Sequence, residues 1–340
     1  MNSANVGPVA GKAGWLACRP SSPTRCQNLR VVPGGATDDF GSMPVIDAHV
    51  HLYPPEVNHA PAAWAAAHGE PQWALMCARV RKKTGRPVQG FPSVDTLLRE
   101  MDAAGVDRAV LLGWYWETPA SCGLQNRFYA ECVRAHPDRL SAFATVQPLA
   151  AGDALAEMRR AREAGLAGLG ELSPHSQGLA VDDPRWLAVL ALADEWRWPV
   201  NLHVTEPDGG AYPGRVETPL ADFPRLATQF PRVKFVLAHW GGRIWRAGAD
   251  WPINVWVDTA ASPLLYGADA EIWREGLERA GAARVLWGTD YPLELYPQEA
   301  GKGTLAGFLE EARSRVSSSG HPGAVLGENA ARLLGLSAAG

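Results

Sequence analysis

Six residues carry the chemistry this sequence offers: His49, His51, Glu171, His203, His239 and Asp290. The stretch Asp47-Ala48-His49-Val50-His51 closes an apolar run. Side chains alternate along a strand, so the two imidazoles face the same way, with Cα atoms roughly 6.6 Å apart. Placed so, they can share one metal ion. A lone His-x-His is a weak signal, but the pattern recurs. Glu171 follows Leu166-Ala167-Gly168-Leu169-Gly170, and His203 follows Pro199-Val200-Asn201-Leu202. His239 ends the run that begins at Val233, and Asp290 ends the run that begins at Arg284. Any one of these is more often an ordinary hydrogen-bonded residue. All six at the same end of an apolar strand form a joint signal. Neutral imidazoles and carboxylates suit Zn²⁺ first, then Mn²⁺, Fe²⁺ or Co²⁺. Such an ion lowers the pKa of bound water to about 7, which gives a hydrolytic nucleophile near neutrality. Asp290 is placed to orient that water and take its proton.

These residues need a scaffold that gathers strand ends. From Val45 onward, short apolar or β-branched runs alternate with longer helical patterns, as in repeated βα units. Eight strands are expected, near 45–51, 108–113, 140–146, 167–171, 199–204, 233–239, 254–259 and 284–289. They fit one closed (β/α)₈ TIM barrel over residues 43–340, with an open doubly wound sheet as the alternative. In a barrel the C-terminal strand ends converge on one face, where active sites are built. Three junctions, Ala104-Gly105-Val106, Ala164-Gly165-Leu166 and Ala280-Gly281-Ala282, place a glycine to close a helix before the next strand. Ser93 is positioned to N-cap a helix with Leu97, Leu98 and Met101 on its apolar side. The sixth helix, around Arg243 to Trp251, has the shortest pattern and is broken by glycine. A long insertion separates the first strand from Ser93. It carries Trp64, Trp73, Arg79, Arg81, Lys82 and Lys83, and an insertion of this length suits a lid.

Residues 1–42 differ from the rest. They are rich in Gly, Pro, Ser and Asn, lack periodicity and lack the apolar core of a signal peptide, so a disordered extension is expected, with Met43 a candidate start. The formal net charge of −4 divides as +2 over this segment and −6 over the remainder. An acidic body argues against nucleic acid or an anionic membrane as partner and for a small-molecule substrate. No apolar run approaches the roughly 20 residues of a membrane helix. Five cysteines without C-x-x-C spacing read as reduced thiols of a cytoplasmic protein. A homo-oligomer is left open.

His49-x-His51, His203, His239-Trp240-Gly241-Gly242, the turn Gly288-Thr289-Asp290-Tyr291-Pro292 and the terminal Leu326-Gly327-Glu328-Asn329 together resemble the amidohydrolase superfamily. The nearest branch is the amidohydrolase-related group that includes aminocarboxymuconate-semialdehyde decarboxylase and lactone hydrolases. The resemblance covers roughly Met43 to Leu336. It implies that His49, His51, His203 and Asp290 bind a divalent metal, and that His239 belongs to a second ligand set or acts as an acid/base partner. Glu171 departs from the pattern, because decarboxylases of this group generally lack an acid at the end of strand 4. It is similar to the bridging ligand of two-metal hydrolases, and the alternative is a carboxylate that orients a ligand histidine. One or two ions per chain are therefore expected.

Substrate selection falls to the loops. Trp114, Trp116, Trp240 and Arg243 suit a flat or apolar substrate bearing a carboxylate, and His175 lies within reach. The leading expectation is a metal-dependent hydrolase acting on a C–O or C–N bond of a small carbonyl substrate. The alternative is non-oxidative decarboxylation of an aromatic or unsaturated acid. A binding protein without turnover is the remaining class, disfavoured because such a constellation costs stability.

Overall fold

The computed structural model describes residues 44–336 apart from 82–83, 249–251, 268–270, 300 and 318–320. The expected extension over 1–42, Lys82, Lys83 and the end of the expected sixth helix lie outside the described residues. Eight parallel strands follow in order: β1 (Ile46–Val50), β2 (Arg108–Leu111), β3 (Leu140–Ala142), β4 (Leu169–Leu172), β5 (Val200–Leu202), β6 (Phe235–Leu237), β7 (Val255–Asp258) and β8 (Val285–Leu286). Hydrogen-bonded ladders run β1-β2-β3 and β4-β5-β6-β7-β8. Two bridges join the ladders into a barrel. Ala144 pairs in parallel with Leu169, and Val50 pairs with Tyr291 while Ala48 N donates to Trp287 O at 2.9 Å. The chain is thus the (β/α)₈ barrel that the strand count implies.

The helical layer follows the sequence signals where they are local. Helices α1 (Pro55–His59), α2 (Pro61–His68) and α3 (Pro71–Cys77) fill the insertion, each with proline in its first turn, where a missing N–H costs nothing. Then come α4 (Val94–Ala104), α5 (Pro119–Ala135), α6 (Gly152–Glu163), α7 (Pro184–Trp196) and α8 (Asp222–Gln229). The remainder are α9 (Ser262–Leu265), α10 (Glu271–Ala280), α11 (Thr304–Val316) and α12 (Asn329–Leu334). Ser93 Oγ accepts from Thr96 N at 3.2 Å, the expected cap of α4, and Gly105 closes that helix at φ +73°. Ile46, Ala48, Val110, Val236, Trp256 and Leu286 pack with Phe143 and with Ala330 of α12, so the last helix seals strands from both ladders.

Two regions differ from expectation. The insertion is not structureless: Trp64 and Trp73 are buried with Tyr53, Trp114 and Trp116 in a separate aromatic cluster. It is also pinned to the loop after β2. Buried Glu70 accepts from Glu117 N at 2.7 Å and Thr118 Oγ1 at 2.8 Å, while Gln72 N donates to Glu117 Oε2 at 2.9 Å. The second difference is the expected sixth helix. After β6, residues His239 to Arg243 all take φ of +56° to +58°, a left-handed turn followed by a short 3₁₀ stretch. Gly241 and Gly242 adopt this freely, whereas His239, Trp240 and Arg243 do so against their preference and must be held there. No helix among the described residues is long and apolar enough to cross a membrane.

Candidate metal centre

The strand ends bring all six singled-out residues to one mouth. His49 lies within β1 and His51 just beyond it, and their Nε2 atoms are 3.1 Å apart. Asp290 Oδ1 sits 3.3 Å from His51 Nε2 and 3.9 Å from His49 Nε2. Glu171 Oε2 lies 3.8 Å from His51 Nε2. Four donors at these spacings fit a divalent ion, since bonds of about 2.05 Å in tetrahedral geometry set donors about 3.3 Å apart. The tautomers agree. His51 Nδ1 donates to Leu112 O at 2.8 Å and His49 Nδ1 meets Asp258 Oδ2 at 2.9 Å, which leaves both Nε2 lone pairs facing inward.

His203 falls in a second set instead of beside His49 and His51. Its Nδ1 is 2.9 Å from Glu171 Oε1 and 3.3 Å from His239 Nε2, and Glu171 Oε1 is 3.7 Å from His239 Nε2. His49, His51 and Glu171 form one group able to hold an ion; Glu171, His203 and His239 form another. Glu171 belongs to both.

Electrostatics favour a cation. Burial alone would raise the pKa of Glu171, but the imidazoles of His203, His49 and His239 outweigh it and hold the carboxyl well below its usual range. The same contest, won by His51, His49 and His239, keeps Asp290 low. Burial would lower His49, yet Asp258, with Glu171 and Asp290, takes it up to about 10, so the acids that favour a cation also hold a proton on Nε2 that a bound metal would displace. Burial keeps His239 low. Two ionised, desolvated carboxylates among imidazoles form a site that gains by binding positive charge.

Above the donors lies a cleft walled by Tyr53, Trp114, Tyr115, Arg79 and Tyr212. Trp114 and Tyr115 stack at 4.0 Å, and Tyr115 lies 5.4 Å from His203. Of the expected substrate-binding residues, Trp114 alone lines this cleft. Trp116 is buried against Trp64 and Trp73, its ring 5.3 Å from each. Trp240 packs on Trp273 and donates through Nε1 to Ser262 Oγ at 2.8 Å. A Cβ at Gly276 would come within 2.3 Å of its ring, so α10 needs glycine there. Arg243 is committed to Glu206 and Asp208, and His175 pairs with Asp222 at 3.1 Å. None of these four is among the residues that wall the cleft, because loop direction, which periodicity does not encode, turns them elsewhere.

The cation on the cleft wall is Arg79, just past α3. It lies 4.3 Å over the Tyr212 ring, contacts Met76 Sδ at 3.3 Å and pairs with no carboxylate among the described residues. Tyr53 and Tyr212 escaped the sequence reading because no strand register points to them, and Arg79 entered it only as part of the insertion. Asp258 escaped it too, although it ends the apolar run Val255-Trp256-Val257 as the other acids end theirs.

A barrel that gathers imidazoles and carboxylates at its C-terminal mouth defines a metal-binding enzyme of the amidohydrolase superfamily. A model described as amidohydrolase matches residues 46–336, and the chain belongs to that family. Among solved structures it is similar to the 5-carboxyvanillate decarboxylase of Sphingomonas paucimobilis, with 21% identity over 87% of this chain and 100% of that one, and a TM-score of 0.66. The corresponding enzyme of Novosphingobium aromaticivorans, solved with manganese and 4-hydroxy-3-methoxy-5-nitrobenzoic acid, matches at 17% identity over 88% and 97%, with a TM-score of 0.65. A probable 2-pyrone-4,6-dicarboxylic acid hydrolase from Acinetobacter baumannii, with citric acid bound, matches at 18% over 86% and 100%, with a TM-score of 0.57.

Proposed function

We propose that this protein is a metal-dependent carboxy-lyase acting on a planar aromatic or unsaturated acid, the alternative of the sequence reading rather than its leading hydrolase. The observation that carries the proposal is the cleft itself. Stacked Trp114 and Tyr115 give a flat apolar wall, Arg79, without a carboxylate partner among the described residues, offers a fork for a carboxylate, and the donors lie on the floor. Similar structures that are decarboxylases support the same reading.

His49, His51 and Asp290 would hold the ion, with Glu171 within reach. A bound divalent ion supplies Lewis-acid polarisation of a substrate oxygen. A donor set that is half carboxylate also suits manganese. Arg79 anchors the substrate anion, and Trp114 with Tyr115 orients its plane. Decarboxylation breaks one C–C bond and leaves its electron pair on carbon, so one proton must be delivered there as CO₂ departs. His239 is placed for that transfer. Its Nδ1 donates to Ala260 O at 3.1 Å, which leaves the Nε2 lone pair facing the centre, where it takes up a proton from solvent or a substrate hydroxyl and passes it to the carbon. Glu171 then orients His203, its nearest imidazole partner.

Hydrolysis by two ions remains the second reading because Glu171 is shared by both donor groups. A panel of hydroxylated aromatic acids, unsaturated acids, lactones and amides assayed with metal-loaded protein separates the two. CO₂ release from at least one aromatic or unsaturated acid is expected, with lactone and amide turnover at background. Turnover confined to lactones or amides would reverse the choice.

A further inference from the structure

Asp258 at the end of β7 is a carboxylate that does not line the cleft, and all its acceptor capacity is used. Oδ2 accepts from His49 Nδ1 at 2.9 Å and Asn201 Nδ2 at 3.0 Å. Oδ1 accepts from the backbone N–H of His239 at 3.0 Å and of Ala260 at 3.1 Å. The group is fully buried. One carboxylate thus grips a side chain of the first donor group and the backbone of a residue in the second. The His239 end matters because that residue opens the left-handed turn at φ +58°, a conformation that histidine holds only under restraint.

We propose that Asp258 is the positioning residue of the metal centre. It keeps the His49 proton on Nδ1, so that Nε2 faces the ion, and it locks the start of the left-handed turn that carries His239. This inference rests on the metal-centre reading given above. Its logic lies in hydrogen-bond polarity. Four donors converge on two oxygens, and an amide in their place offers one acceptor oxygen and one donor group. The two backbone N–H groups cannot reorient, so the amide oxygen stays with them and its NH₂ turns toward His49 and Asn201. Asn201 can answer by turning its own amide, whose buried Oδ1 has no hydrogen-bond partner. His49 can answer only by moving its proton to Nε2, which removes the lone pair aimed at the ion.

The test is a chelator-competition titration of wild-type protein and D258N with Mn²⁺ and Zn²⁺, alongside thermal melting. ¹⁵N-histidine NMR of the zinc-loaded wild type and of metal-free D258N accompanies it. D258N is expected to fold and to bind either ion roughly 10- to 100-fold more weakly. The NMR should place the His49 proton on Nδ1 in the wild type and on Nε2 in the variant. A folded D258N that binds within about twofold of wild type would overturn the inference, since loss of such an orienting partner typically costs far more. So would a zinc-loaded wild type carrying the His49 proton on Nε2, a result that needs no variant to fold. Failure of the wild type to bind either ion would instead strike at the metal-centre reading itself.

Discussion

Replacing His49 and His51 together by alanine is expected to strip the protein of its divalent ion and to lower turnover by on the order of 10³-fold or more. Their Nε2 atoms lie 3.1 Å apart at the barrel mouth, within reach of one ion. Asp290 and Glu171 would remain, but with both imidazoles gone they offer too few donors to complete the coordination of a small ion. The loss of His49 also leaves one oxygen of Asp258 short of a donor, which costs about 1–3 kcal/mol of stability. Melting must therefore be followed beside elemental analysis and kcat. A folded variant that keeps both its ion and its turnover would place the ligands elsewhere.

The second large effect is expected at Arg79. Arg79→Ala should raise KM for a carboxylate substrate by about 10²-fold, equivalent to about 2.7 kcal/mol, with a smaller change in kcat. The split follows from position: Arg79 stands on the cleft wall, where it contributes to binding, while the donors and His239 stand at the floor. Arg79→Lys should recover part of the affinity, because an ammonium keeps the charge but lacks the planar fork and stacks less well on Tyr212. Arg243→Ala is the informative comparison. Its guanidinium is engaged by Glu206 and Asp208, so its loss acts through the left-handed turn and not through direct substrate contact. Steady-state kinetics that leave KM unchanged in Arg79→Ala would remove this residue from substrate recognition.

Much of the centre was legible before any coordinates, for a definite reason. A parallel barrel places each strand's last residues at one face, so a histidine or acid ending an apolar run announces its location without knowledge of packing. That rule found His49, His51, Glu171, His203, His239 and Asp290, and applied once more to Val255-Trp256-Val257-Asp258 it would have found the residue that orients His49. Local signals were equally readable: Ser93 caps α4, and Gly105 closes it. What failed depended on loop direction. Trp116 and Trp240 read as pocket walls, but neighbouring tryptophans draw both into the core. Arg243 was chosen as the substrate cation because it lies near His239 in sequence. Spatially, two acids claim it, and the cation on the cleft wall, Arg79, comes from the insertion between β1 and β2. The sixth helix was misread because five consecutive left-handed residues have no periodic signature, and only two of them are glycine.

The split of donors into two groups sharing Glu171 is the arrangement that a bridging carboxylate requires, and the chemistry turns on it. It is tested most directly by stripping the protein with chelator, restoring Mn²⁺ or Zn²⁺ in measured steps, and following CO₂ release from an aromatic or unsaturated acid that the panel identifies. The account predicts no release without metal and a rise that saturates at one ion per chain. Full CO₂ release by protein shown by elemental analysis to be metal-free would contradict it. So would activity that appears only at two ions per chain and consists of lactone or amide hydrolysis without CO₂.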